Sequence, residues 1–140
     1  MIVYKNSKNN NIDVYFAPVS MTDVFLPLEP KEREAELLSV SNEHVRREKY
    51  FAWLLLEHAL KKSLDLSLEE AELYKDKSGK WHSKKCEFSL SHSSSCVAVV
   101  ISHAPVGIDI ELADTKFRSG FANKKGTAGA VTGFVPVIPI

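Results

Sequence analysis

Two acidic residues, Asp109 and Glu111, stand two positions apart in the segment Gly-Ile-Asp-Ile-Glu at residues 107–111. Alternate residues of a β-strand point to the same face, so we expect these carboxylates about 7 Å apart on one side of a strand. The apolar Ile108 and Ile110 would face the other side. A pair of carboxylates in this arrangement suits a hard cation such as Mg²⁺. The alternative is that the pair forms only the polar face of an edge strand.

A second polar group, Ser91, His92 and Ser93, precedes this segment in the chain. Hydroxyl groups and an imidazole suit an anion, and an anion site beside a cation site predicts phosphate chemistry. Neighbours on a strand point to opposite faces, so the pattern argues against a nucleophilic dyad of Ser91 and His92. The alternative is that serines 93–95 make an ordinary turn, which His92 caps.

These two motifs, preceded by Gly79 and Lys80, stand in an order that resembles the 4′-phosphopantetheinyl transferase superfamily. The chain is most similar to the longer members, which activate peptide and polyketide synthases. Those proteins resemble two fused copies of one α+β unit with coenzyme A in the cleft between them. The resemblance covers about residues 46–112. One departure is Trp81, which follows Lys80 where many relatives have proline.

The resemblance implies Mg²⁺-dependent transfer of the 4′-phosphopantetheine group from coenzyme A to a serine of an acyl or peptidyl carrier protein. Asp109 and Glu111 would be the catalytic residues and the metal ligands, with the ion bridging the pyrophosphate of coenzyme A. The residues that would contact the phosphates of coenzyme A are Ser91, His92, Lys80, and Arg47 or Lys49. For Lys80, Arg47 and Lys49 the alternative is a solvated surface position.

Periodicity and turn residues predict the elements that must position this chemistry. Asn42 is a good cap for a long, mostly buried helix, and residues 76–79 are typical of a hairpin turn. Residues 6–11 are expected to form a polar turn. The predicted strands are 2–4, 12–16, 72–74, 87–90, 97–102 and 106–111, and the predicted helices are 30–39 and 43–63. Two helices packed on a small, mostly antiparallel sheet predict an α+β fold, which the resemblance makes one half of a pseudo-dimeric transferase fold.

The sequence changes character after Leu112, since glycines recur and no acidic residue follows Asp114. We expect residues 1–112 to form the N-terminal half of a transferase-like domain and residues 113–140 to be a poorly specified, aberrant or disordered tail. The third acidic ligand and the Lys-Glu-Ala-type helix of two-half relatives have no counterpart in the tail. The chain is therefore expected to be a truncated first half with little or no activity. The rival hypotheses are a non-catalytic remnant that binds coenzyme A or a carrier protein, and an interaction domain in which the motifs are coincidental.

Composition narrows the remaining classes of function. The 18 basic and 18 acidic residues give a formal net charge of zero, which argues against nucleic acid or a membrane surface as partner. No apolar run approaches the roughly 20 residues of a membrane span, so a cytoplasmic protein with free thiols at Cys86 and Cys96 is expected. The spacing of these cysteines and the nearby histidines lacks a zinc knuckle, and the glycines at 126–129 lack a phosphate-loop lysine. Apolar surface left uncovered by a missing half would favour self-association.

Overall fold

The computed structural model of the 140-residue chain describes residues 3–9, 12–19, 27–93, 96–109 and 130–131. In chain order, its elements are β1 (Tyr4–Asn9), β2 (Ile12–Pro18), α1 (Lys31–Leu38), α2 (Glu43–Leu64), β3 (Leu73–Lys75), β4 (Trp81–Ser83), β5 (Glu87–Ser93), β6 (Cys96–Ser102), β7 (Gly107–Ile108) and β8 (Ala130–Val131). Within these residues the fold is α+β, with two helices and a small antiparallel sheet, as the sequence predicts.

The main sheet has the strand order β1-β2-β6-β5, and all of its neighbouring strands are antiparallel. β6 lies between β2 and β5, and every one of its residues is buried. This position explains its almost continuous apolar sequence, because a strand covered on both faces has no side that prefers water. β3 and β4 form a separate antiparallel hairpin, and β7 pairs with β8 in parallel.

The helix α2 packs on one face of the sheet, against β2, β5 and β6. Val97 and Val99 of β6 lie there in one core with Trp53 and Leu56 of α2, and all four are fully buried. Burying a side chain of this size stabilises the fold by roughly 1.5–3 kcal/mol. The core on this face therefore fixes the position of α2 over the sheet.

The opposite face of the sheet carries a smaller apolar cluster. Its buried members are Cys96 and Ala98 of β6, and Phe16 of β2 and Ile108 of β7 pack against them. The backbone N–H of Ile108 also donates a hydrogen bond to Ser89 Oγ on β5, over 3.3 Å. β7 is thus held on the face of the sheet that α2 does not cover.

The boundaries of α2 agree with the predicted helix at 43–63. Asn42 caps its first turn, since the Asn42 Oδ1 atom accepts a hydrogen bond from the backbone N–H of Val45 at 3.0 Å. At the other end, Asp65 adopts a left-handed conformation with φ of 55° and stops the helix. The chemical signals at both ends are local ones, which is why sequence reasoning could place them.

The strands differ from the prediction in their lengths. β1 runs through Asn9, so the predicted polar turn at 6–11 is wrong in its first part; pairing of β1 with β2 overrides the turn preference of its asparagines. β5 likewise continues past the predicted end at residue 90 to Ser93, because it pairs with β6 along its whole length. β7 ends at Ile108, before the acidic pair. Most of the predicted tail at 113–140 lies outside the described residues, except for β8.

Candidate functional site

The strongest polar cluster near the predicted site is centred on Glu48, in the second turn of α2. Its side chain is only 6% exposed, although carboxylates are rarely buried unless they are paired. One oxygen, Oε1, lies 2.7 Å from Nδ1 of His92, and the other, Oε2, lies 2.8 Å from Nε2 of His44. Each oxygen of a buried carboxylate is therefore bonded to a different histidine.

His92 lies near the end of β5, opposite Val97 of β6. Val97 belongs to the core beneath α2, so the ring of His92 points to the helix face of the sheet, where it meets Glu48. The side chain remains 33% exposed. Among the residues that the structure describes, no partner hydrogen-bonds the second ring nitrogen, Nε2. The ring is thus fixed at one nitrogen and accessible at its outer side.

Ser91 lies on the other face of the sheet from His92. It pairs with Ala98, which belongs to the cluster covered by Ile108. The expected opposite orientation of Ser91 and His92 is therefore confirmed, and with it the argument against a nucleophilic dyad. The two motif residues are neighbours in sequence, but they are presented to different sides of β5.

Asp109 follows β7 directly and is exposed. Ile108, the residue before it, contacts Ser89 on β5, so Asp109 begins on the same side of the sheet as Ser91. Glu111 lies outside the described residues, and the shared face of Asp109 and Glu111 stays a prediction. Within the described part of the chain, no three side chains of His, Cys, Asp or Glu converge in a way that could hold a metal ion.

The basic residues assigned to coenzyme A are in different environments. Lys80 is exposed at the turn between β3 and β4, while Lys49 is half-buried on α2. Arg47 is buried, with its guanidinium nitrogen NH2 3.5 Å from Oε1 of Glu43. Arg47 therefore does not belong to a solvated helix face. It precedes Glu48 in the chain, so one helical turn carries both a buried cation and the carboxylate that holds His92.

The turn that carries Lys80 is built by Asp76. Its carboxylate accepts hydrogen bonds from the backbone N–H and hydroxyl of Ser78, the backbone N–H of Lys80 and Nε2 of His82. Hydrogen bonds from Ser78, His82 and Lys80 hold the pKa of this carboxyl well below its usual range. Gly79 closes the turn with φ of +92°, a conformation that residues with a side chain rarely adopt. The predicted hairpin turn is thus confirmed.

The two cysteines are buried and form no disulfide. Burial raises the pKa of the Cys96 thiol to about 11, and the negative charge of Glu48 acts in the same direction. Burial also raises the pKa of Cys86. Both thiols therefore stay protonated near neutral pH and are unreactive, since the thiolate is the nucleophile and the metal ligand.

A second polar cluster, centred on Glu36 of α1, was not anticipated from the sequence. Its carboxylate accepts hydrogen bonds from Arg33 at 3.2 Å, from the indole N–H of Trp81 at 2.9 Å, and from the ammonium group of Lys75. The guanidinium of Arg33 also lies 4.6 Å above the ring of Trp53. This cluster joins α1 to α2 and to the hairpin of β3 and β4.

Two surface cavities are formed by described residues that belong to neither cluster. One, of about 260 Å³, is lined by Glu29, Pro30, Leu68, Glu69, Glu72 and Leu73. The other, of about 510 Å³, is lined by Leu54, Glu57, His58, Lys61, Leu66 and Ser67. Neither cavity includes a residue that the sequence assigns to coenzyme A or to magnesium.

Comparison with known proteins adds no family assignment: no family model and no curated protein matches the chain. Among the described residues, no helix is both long and apolar enough to cross a membrane. Sequence reasoning missed Glu48 and His44. Their i, i+4 spacing places them on one face of a helix, but nothing local shows that this face meets His92.

Proposed function

We propose that this protein transfers the 4′-phosphopantetheine group of coenzyme A to a serine of an acyl or peptidyl carrier protein, as half of a pseudo-dimeric transferase fold. The observation that carries the proposal is the setting of His92. Its Nδ1 atom is bonded to Glu48, and its outer side is accessible near the end of β5. An imidazole held in this way can present a second N–H to an anion.

The proposal gives the phosphate groups of coenzyme A to His92 and to the other residues that the resemblance assigns. His92 and Ser91 contact phosphate oxygens, and Lys80 with Arg47 or Lys49 supplies positive charge. Charge-assisted hydrogen bonds of this kind are worth roughly 1.5–3 kcal/mol each. In the reaction, the carrier serine oxygen attacks the β-phosphorus of coenzyme A and releases its proton to solvent. The bond from that phosphorus to the bridging oxygen breaks, and adenosine 3′,5′-bisphosphate leaves.

Asp109 and Glu111 are the residues that would hold Mg²⁺ in this proposal. The ion, when bound, would neutralise the charge that builds up on the pyrophosphate. Asp109 is exposed, and it follows a strand that lies against β5. The chemistry of the two side chains suits magnesium, which prefers one or two carboxylates together with substrate phosphates.

The alternative function is a non-catalytic protein that binds coenzyme A or a carrier protein. It is favoured by the placement of the two motifs on different sides of the sheet. His92 faces α2, while Asp109 follows β7, which lies on the opposite face. Residues that contact phosphate would then suffice for binding without the acidic pair. With either function, self-association of the chain would cover apolar surface.

The two functions are separated by an assay of the purified chain with coenzyme A, Mg²⁺ and a panel of apo carrier proteins. Transfer is read by mass spectrometry as the mass gain of the carrier, and binding of coenzyme A is read by calorimetry. An enzyme modifies a carrier, slowly if the chain is the impaired first half that the sequence predicts. It loses this activity in Asp109→Asn, whereas Asp65→Asn, an exposed change at the end of α2, leaves it intact. Binding without transfer to any carrier would favour the alternative, and absence of both would overturn the proposal.

A further inference from the structure

We propose that Glu48 is a positioning residue that orients His92 through a hydrogen bond to Nδ1. Nε2 is then the ring nitrogen that contacts a phosphate of the ligand. This inference rests on the proposed function, because it takes coenzyme A as the ligand of His92. It adds a residue that neither motif contains, and it assigns the contact to one particular nitrogen of the ring.

The direction of the hydrogen bond between Glu48 and His92 follows from the chemistry of the two side chains. Glu48 Oε1 and His92 Nδ1 are 2.7 Å apart, a normal length for a charge-assisted bond. An ionised carboxylate has no proton to give, so Nδ1 must be the donor. The neutral ring then carries its proton on Nδ1 and leaves a lone pair on Nε2, and the protonated ring carries a donor at both positions.

The carboxylate of Glu48 is also fixed in place. Its other oxygen, Oε2, is bonded to Nε2 of His44, one helical turn earlier on α2. The side chain of Glu48 is buried, and the helix that carries it is anchored by Trp53 and Leu56 in the core. A carboxylate held at both oxygens cannot turn away from His92, so it defines the plane and the tautomer of that ring.

The charge state in which His92 binds a phosphate follows from the chemistry of the phosphate. A phosphate oxygen accepts hydrogen bonds, so Nε2 must carry a proton, and the ring that binds is the imidazolium. The titratable groups bonded in this cluster are Glu48, which contacts His92 directly, and His44, which contacts it through Glu48; both lie on α2. Affinity for coenzyme A is therefore expected to be higher when the ring is protonated than when it is neutral.

The test begins with the tautomer of His92, measured without any ligand. Imidazole ¹⁵N spectra of the wild-type chain at pH 8 are compared with those of His92→Gln, which identifies the signals of His92. The expected result is a neutral ring with its proton on Nδ1. Glu48→Gln should shift the ring towards the Nε2–H tautomer, while Glu57→Gln, an exposed change on the same helix, should leave it unaltered.

The second arm measures the affinity for coenzyme A by calorimetry at pH 6 and pH 8. Wild type should bind several-fold more tightly at pH 6, and His92→Gln should bind more weakly and lose this pH dependence. Glu48→Gln should approach His92→Gln in both respects, and His44→Gln should have a smaller effect. His103→Gln, an exposed change after β6, controls for the loss of a histidine.

The outcomes separate the positioning role from the function on which it rests. A wild-type ring that carries its proton on Nε2 would overturn the inference without any variant. Glu48→Gln with unchanged affinity and pH dependence would also overturn it. If Nδ1 carries the proton but the chain binds no coenzyme A, the proposed function and the role of Nε2 are overturned. Only the conclusion that Glu48 orients the ring then remains.

Discussion

Glu36 and Glu48 are both carboxylates that accept hydrogen bonds from distant parts of the chain, but their donors are of different kinds. Glu36 is bonded to Arg33, Lys75 and the indole of Trp81. The two cations stay charged across the whole physiological pH range, and the indole has a single N–H, which the bond to Glu36 uses. The arrangement ties three elements together, although the buried Nε atom of Arg33 has no hydrogen-bond partner among the described residues.

Glu48 is bonded to two imidazole rings, and each ring has a second nitrogen. An imidazole can also exist in a neutral and a charged form, whereas the cations bonded to Glu36 have one form at physiological pH. The role of such a carboxylate is therefore better inferred from its donors than from its burial. The useful question is whether the donors can bond a further group or change their protonation. By this criterion Glu36 is structural, and Glu48 belongs to the proposed site.

The largest expected effect is the loss of stability in Glu36→Gln. The change removes the charge that three donors share, and a hydrogen bond to a charged group contributes about 2 kcal/mol. We expect the free energy of unfolding to fall by about that amount, measured by denaturation with urea, while affinity for coenzyme A is unchanged. Glu57→Gln is the matched exposed control, and an equal loss of stability in both variants would contradict the prediction.

The contribution of Glu36 should also depend on pH in a defined direction. Burial alone would raise the pKa of this carboxyl, but the hydrogen bonds from Lys75, Trp81 and Arg33 outweigh it and lower the pKa. A group whose pKa is lower in the folded state stabilises the fold above its unfolded pKa and loses this effect as the pH falls through its folded pKa. The difference in stability between wild type and Glu36→Gln should therefore shrink between pH 7 and pH 3, and a constant difference would refute this.

Asn42→Ala should have an intermediate effect, because it removes the cap of the helix that carries Glu48. The backbone N–H of Val45 loses its acceptor, and such changes cost about 1 kcal/mol, whereas glycine at the same position costs only a few tenths. Urea denaturation of the alanine and glycine variants checks this order. In NMR spectra, the ring signals of His92 should shift more than the indole signal of Trp81, since the cap adjoins Glu48.

The smallest expected effect is that of His44→Ala on stability. His44 is 61% exposed, so water can take its place at Oε2 of Glu48, and an exposed contact between residues i and i+4 contributes less than about 0.5 kcal/mol. We expect a change within that limit by denaturation with urea. A loss as large as that of Glu36→Gln would place the Glu48 cluster among the structural ones and remove the distinction.

Much of the fold could be predicted because its signals are local. Asn42 marks the start of α2, the residues from Asp76 to Gly79 specify a tight turn, and the apolar run of β6 indicates a buried strand. The ends of β1 and β5 were not predictable in the same way. Their last residues are polar, and only pairing with β2 and β6 makes them strands.

The candidate site was predictable only in part. The motifs pointed to His92, and the strand geometry gave its orientation relative to Ser91. The contact with Glu48 joins residues on different elements, and it depends on how α2 is rotated over the sheet. That rotation is set by the packing of the whole core around Trp53 and Leu56, which no short segment encodes. Glu111 lies outside the described residues, so the acidic pair stays a prediction.

The pairing of β2 with β6 has a consequence for folding during synthesis on the ribosome. β2 is made early, but the strand that buries it comes late, after both helices and the β3–β4 hairpin. At ordinary rates of translation the interval is on the order of ten seconds. During that time β2 has only β1 as a paired strand, and α2 has no central strand to cover. The nascent chain therefore passes through a stage in which chaperones can bind it, and this stage ends when β6 emerges.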